Sequence, residues 1–154
     1  ERCAMVLESR ARIGALGEHW VTDALEQEGH RILARNWRWH RHEIDVISMH
    51  RDTLMFHEVK CRSGCATAID RWDVAQWRPS LRQQRRIVQA GHAFIRQYTG
   101  LPGLVRFDLW LVVVERGAPP TVRRFPDAFD GASAPCAQHP RSSRSRGPST
   151  TTYL

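Results

Sequence analysis

The chain has 154 residues, 42% of them hydrophobic and 25% charged, the composition of one globular domain with a substantial core. The formal net charge is +7, but Arg141, Arg144 and Arg146 lie in a stretch without acids; setting those three of the 23 basic residues aside leaves 20 against 16 acids, or +4. This mild bias favours anionic partners, nucleic acid first among them, and no run approaches the ~18 to 20 apolar residues that a membrane span requires.

No segment reads as a signal peptide, so the cytoplasm is the expected compartment. Cys3, Cys61, Cys65 and Cys136 are too few for a disulfide framework in a domain of this size and are expected as reduced thiols.

Residues 7–28 read as an amphipathic helix with Ile13, Leu16, Trp20 and Ala24 on one stripe, widened by Val21 and Leu25. Gly14 and Gly17 each cost up to ~1 kcal/mol in a helix interior, a cost usually offset by close approach to a neighbouring element. Three strands follow in HRILARNWRW, HEIDVISM and TLMFHEVKC, the last two joined by a short polar turn at Arg51-Asp52. Residues 63–78 carry weak patterning and read as a mobile loop. Pro79 and Ser80 open a second helix to about Tyr98, with Ile87, Val88, Gly91, Phe94 and Ile95 on one face and Arg82, Arg85, Arg86 and Arg96 on the other. LVRFDLWLVVVE is a long apolar strand and TVRRF a short final one. The domain is expected over residues 1–132, and residues 133–154, rich in Ser, Pro and Arg, read as a disordered tail. This order implies an α/β domain with a central mixed sheet covered on both faces.

Lys60 is the only lysine in the chain. A two-residue turn at Arg51-Asp52 pairs residues whose numbers sum to 103, which sets Asp45 across from Glu58 and Glu43 across from Lys60. With period-two alternation one face then reads Glu43, Asp45, Ile47, Met49 and Leu54, Phe56, Glu58, Lys60: apolar at the turn, charged at the open end. Two carboxylates that close repel unless a proton or cation intervenes, and a hard divalent ion such as Mg²⁺ is held by such a pair with water and phosphate oxygens. A lysine beside them acts on phosphate or on the attacking water. The plainer alternative is a Glu43–Lys60 cross-strand ion pair with the other two acids at the sheet rim. A one-residue slip would place Asp45 and Glu58 on opposite faces.

The segments GALGE (14–18), NWRW (36–39), HEIDVIS (42–48), FHEVKCR (56–62), QQRRIVQA (83–90) and RFD (106–108) together resemble the YraN-like family, small bacterial proteins of the PD-(D/E)XK nuclease superfamily. The resemblance spans about residues 12 to 130. It implies a restriction-endonuclease-like αβββαβ core and divalent-metal-dependent endonuclease activity on nucleic acid, with Mg²⁺ or Mn²⁺. By the same resemblance Asp45 matches the first metal-binding acid, Glu58 and Lys60 the ExK element, and Glu18 the acid supplied by the first helix. Three positions depart from the family pattern: His42 stands where glycine is usual, His57 where a small apolar residue is usual, and Gln83 where lysine is common.

Other groupings carry less. His40, His42, His57, Cys61 and Cys65 match no standard zinc spacing, and surface or interface histidines are the plainer reading. On the hairpin register His42 and His57 face away from Asp45 and Glu58. Arg106 and Asp108 share a strand face and are read as structural. Arg82, Arg85 and Arg86 are candidate phosphate contacts, on a helix face otherwise explained by solubility. Trp37, Trp39, Trp72 and Trp77 are read as anchors before base-stacking platforms. Three functions stay open: a metal-dependent nuclease, a nucleic-acid-binding module without catalysis, and an interaction protein whose acids are structural.

Overall fold

The computed structural model describes residues 10–64, 77–100 and 102–130. Cys3, Cys65, Trp72, Cys136, most of the loop expected between residues 63 and 78 and the tail expected from residue 133 lie outside these residues. The elements are α1 (Arg10–Gln27), β1 (Arg31–Trp39), β2 (His42–His50), β3 (Thr53–Ser63), α2 (Leu81–Gln97), β4 (Leu104–Val114) and β5 (Thr121–Phe125). The strands form one open sheet in the order β1-β2-β3-β4-β5. Only β3 and β4 are parallel; the other neighbours are antiparallel. A parallel pair needs a crossover, and α2 supplies it. The expected mixed α/β architecture is the one observed.

Each helix covers one face. Under α1 lie Val46, Trp110 and Val112 with Val21 and Leu25 of the helix itself. Under α2 lie Ile47, Leu54, Phe56, Phe107 and Leu109 with Ile87 and Val88. Both faces of β4 are therefore dry, which is why its run from Phe107 to Val113 is wholly buried. Gly91 brings α2 close: a Cβ there would stand 2.9 Å from Phe107 and 3.2 Å from Phe56. Ser80 caps α2, its hydroxyl accepting from the Gln83 N–H.

The turn between β2 and β3 is the expected one. His50 pairs with Thr53 around Arg51-Asp52, and the register continues through Met49–Leu54, Ile47–Phe56 and Val46–His57. Arg51 takes φ 53°, a left-handed position that a two-residue hairpin demands.

Two sequence expectations require correction. The α1 stripe is rotated: Gly17, Val21, Thr22 and Leu25 are buried, whereas Trp20 is 41% exposed. A Cβ at Gly17 would sit 2.5 Å from the Cys61 Cβ, so the helix turns its glycine, rather than its tryptophan, onto β3. Gly14 has no such role, since a Cβ there meets nothing within 4 Å among the described residues. In β2, strict alternation would group Ile44 with Val46, yet Ile44 packs with Ile47 beneath α2. The strand leaves regular alternation around Asp45.

Candidate active site

The β2–β3 ladder runs only to Val46–His57, one residue short of Asp45 and Glu58. Beyond it Asp45 substitutes for the ladder: its Oδ2 accepts the Val59 backbone N–H at 2.6 Å. The two strands thus part where their acids begin, and the side chains of both acids reach one cavity of 370 Å³. Glu58 is buried, and its Oε1 accepts from the Lys60 ammonium and from Gln83 Nε2 at 2.9 Å. Asp45, Glu58 and Lys60 are therefore brought together at one end of the sheet. The alternative Glu43–Lys60 pair does not form; Glu43 instead meets Arg38 at 3.2 Å.

Burial sets the electrostatics of the pair. Desolvation, followed by the neighbouring Glu58 charge, pushes the Asp45 carboxyl up to about 8, against the opposing pull of the Val59 N–H. Desolvation also raises Glu58, and the Lys60 charge and hydrogen bond pull it back. Each carboxylate ionises reluctantly, so the pair favours a proton or a cation between them.

Glu18 lies next to Gly17, the point of closest approach of α1 to β3, and its charge acts on Asp45, Glu58 and Cys61. It does not complete a ligand set: no group of three or more His, Cys, Asp or Glu side chains stands close enough to share an ion among the described residues. On donor chemistry, two carboxylates, Glu58 buried and Asp45 half-buried, beside an open cavity suit a hard divalent ion that keeps most of its waters.

Sequence reasoning missed three lining residues. Gln83, at the position where a lysine had been the reference, orients Glu58 through its amide. Arg41, in the β1–β2 turn, lines the cavity with Arg82 and Arg86. His42 also lines it, contrary to the expectation that it faces away, in a strand that has left regular alternation. Arg85 is exposed and lies outside the cavity. The signal available for Arg41 and His42 was their place immediately before EID; the hairpin rule hid it.

His57 does face away, but as a core residue rather than a surface one. An indole N–H can only donate, so Trp110 Nε1 donates to His57 Nδ1 at 3.0 Å. His57 Nε2 then donates to Ser48 Oγ at 2.8 Å, and the Ser48 hydroxyl donates to His30 Nδ1 at 3.0 Å. Burial depresses His57 to about 3, which keeps it neutral in this chain. On β4 Asp108 is fully buried and accepts from Arg106 at 2.7 and 2.9 Å, from Arg124 at 2.9 Å and from the Asp127 N–H at 3.0 Å. Arg106 and Asp108 are structural, as their spacing suggested. Trp37, edge-on to Phe94 at 5.4 Å, and the buried Trp77 are anchors too.

An open mixed sheet between two helices, with two acids and a lysine where the second and third strands part, defines a protein of restriction-endonuclease-like fold. Residues 17–112 match the model of the uncharacterised protein family UPF0102, the YraN-like proteins, and the chain belongs to this family. The matched stretch contains Glu18, Asp45, Glu58, Lys60 and the first turns of α2. A UPF0102 protein of Trichlorobacter lovleyi is 34% identical over 77% of this chain and 90% of its own. One of Nitratidesulfovibrio vulgaris is 33% identical over 81% and 89%, and one of Parafrankia sp. is 37% identical over 68% and 85%. No helix among the described residues is long and apolar enough to cross a membrane.

Proposed function

We propose that this protein is a divalent-metal-dependent nuclease that hydrolyses phosphodiester bonds of nucleic acid. The observation that carries the reading is the pair Asp45 and Glu58, both raised in proton affinity, in one cavity with arginines that have no partner among the described residues and beside Lys60. Asp45 and Glu58 would hold Mg²⁺ or Mn²⁺, with Glu18 acting on it through water. The bound ion would polarise a phosphoryl oxygen and make its water more acidic. Lys60, held against Glu58, carries its positive charge where negative charge develops on the phosphate and where an attacking water needs orienting. Gln83 keeps Glu58 turned toward the cavity.

The test combines binding and cleavage. Mn²⁺ titrated into native protein by calorimetry should bind once, and Asp45→Ala should abolish the heat while circular dichroism shows an unchanged fold. Cleavage should fall at least ~10²-fold in Asp45→Ala and in Lys60→Ala. Native protein that cuts neither DNA nor RNA, single-stranded or duplex, with either metal, would falsify the nuclease reading.

One observation favours a second reading, a nucleic-acid-binding module without catalysis. Lys60 already neutralises Glu58, and no third acid stands close enough to share an ion with the pair among the described residues. That reading expects salt-sensitive binding that survives Asp45→Ala and weakens on substitution of Arg82 and Arg86.

A further inference from the structure

Several of the described arginines have partners within the fold. Arg106 and Arg124 share Asp108, Arg38 takes Glu43, Arg78 donates to the Ala128 carbonyl at 2.8 Å and Arg62 lies 3.5 Å above the Trp77 ring. Arg41, Arg82 and Arg86 are set apart by where they stand. All three line the 370 Å³ cavity, and none has a hydrogen bond or ion pair among the described residues. The acids that line the same cavity do not answer them: Glu43 is turned to Arg38, Glu58 to Lys60 and Gln83, and Asp45 to the Val59 N–H.

In the same wall His42 Nδ1 is buried without a hydrogen-bond partner among the described residues. An orphaned buried ring nitrogen is costly unless a ligand or water completes it. The first turn of α2 also faces the cavity through Ser80 and Gln83, contains no acid, and so presents the positive end of a helix to the same space. Three arginines, the His42 ring and a helix N-terminus therefore line one space beside the carboxylates, a lining that an anion complements.

We infer that Arg41, Arg82 and Arg86, with His42, form a phosphate subsite separate from the Asp45–Glu58 pair, which holds a neighbouring phosphate of the nucleic-acid chain. The inference rests on the reading of the carboxylate pair as the place where a phosphodiester is handled. Its consequence is a substrate class. The ligand must carry consecutive phosphates on one strand, because one phosphate at the carboxylates leaves the arginines unanswered. Arg41 comes from the β1–β2 turn and the other two from α2, so the subsite is an effect of the fold. Arg85, one residue from Arg86, is excluded from it.

The subsite can be read without metal and without cleavage. Inorganic phosphate is titrated into the protein in EDTA while the arginine Nε–Hε resonances are followed by NMR. Arg41, Arg82 and Arg86 should shift together along one saturating isotherm, with Arg85 unmoved. Absence of shifts, or equal shifts in all four, overturns the subsite whatever the protein does to nucleic acid. Loss of cleavage with these shifts intact would remove the nuclease reading and leave the subsite standing. In parallel, a labelled single-stranded oligonucleotide is bound at several salt concentrations, again in EDTA. The double variant Arg41→Gln/Arg86→Gln should lower the slope of log affinity against log salt by about 1.4, two phosphate contacts at about 0.7 each on a single strand. Arg85→Gln should leave that slope within error. A double variant that keeps the native slope overturns the inference, as does a nucleoside monophosphate that competes as well as the oligonucleotide at equal phosphate. The substituted arginines are exposed, and matching thermal melts will establish that the variants are folded.

Discussion

Asp108 and Asp45 are two aspartates on the same sheet with opposite electrostatics. Asp108 is fully buried, and two guanidinium groups and a backbone N–H hold its carboxyl below the ordinary range despite desolvation. Asp45 is less enclosed, yet with one backbone donor and an acid for a neighbour it is pushed up to about 8. The arginines tell the same story in reverse: those around Asp108 are paired, and those in the cavity beside Asp45 are not among the described residues. One end of the sheet meets its own requirements for charge, and the other does not among the described residues. Self-sufficiency marks structure here, and the unmet balance marks the candidate site.

The comparison breaks first at Asp108. Asp108→Ala leaves Arg106 and Arg124 without their shared acid and should cost about 3 kcal/mol, read as a lowered urea midpoint at constant slope. If Asp108→Ala melts like the native protein, the closed cluster is not structural. A smaller effect of opposite sign is expected at the open end. The folded Asp45 carboxyl titrates above its ordinary value of 3.8, so between that pH and about 8 the native state keeps a proton that the unfolded chain has released. Its contribution to stability is therefore greatest at low pH and falls as pH rises towards 8. Asp45→Asn removes the penalty, and in EDTA at pH 8 it should be more stable than the native protein by at least about 1 kcal/mol, with the advantage vanishing near pH 4. Equal melts at pH 8 would show that Asp45 carries no such strain. The smallest effect belongs to Arg38→Gln. Its pair with Glu43 is exposed, and stability should change by no more than about 0.5 kcal/mol.

Much of the fold was legible because its signals are local. Arg51-Asp52 between two apolar alternating runs specified the hairpin, and the sum-of-103 register then holds over five residue pairs. The α2 face was readable because its apolar and arginine positions separate cleanly around the helix. The α1 face was not, because Trp20 outweighed Gly17 in any hydrophobic reading, whereas contact distance favoured the glycine. The carboxylate pair was legible as a juxtaposition, but its geometry was not. The strands stop pairing just before it, and only a side-chain carboxylate in place of a ladder bond reveals that.

Arg41, His42 and Gln83 were hidden for a related reason. Each reaches the cavity from a different element, and no periodicity within one element reports a meeting of three. His57 shows the same limit from the other side: its neighbours Trp110, Ser48 and His30 come from β4, β2 and the α1–β1 connection, so a histidine that looked like a surface residue is a neutral link in the core.

The sequence by itself determined the order of elements, the β2–β3 register, the family and the small set of acids and lysine that carries the candidate chemistry. Those follow from turn residues, alternation and motif spacing, all of which act within a few residues along the chain. The tertiary structure alone decided which charges are answered and which are left open. Burial and the arrival of partners from distant elements set that balance, and they separate Asp108, neutralised by its own arginines, from Asp45, which has one backbone donor and an acid for a neighbour.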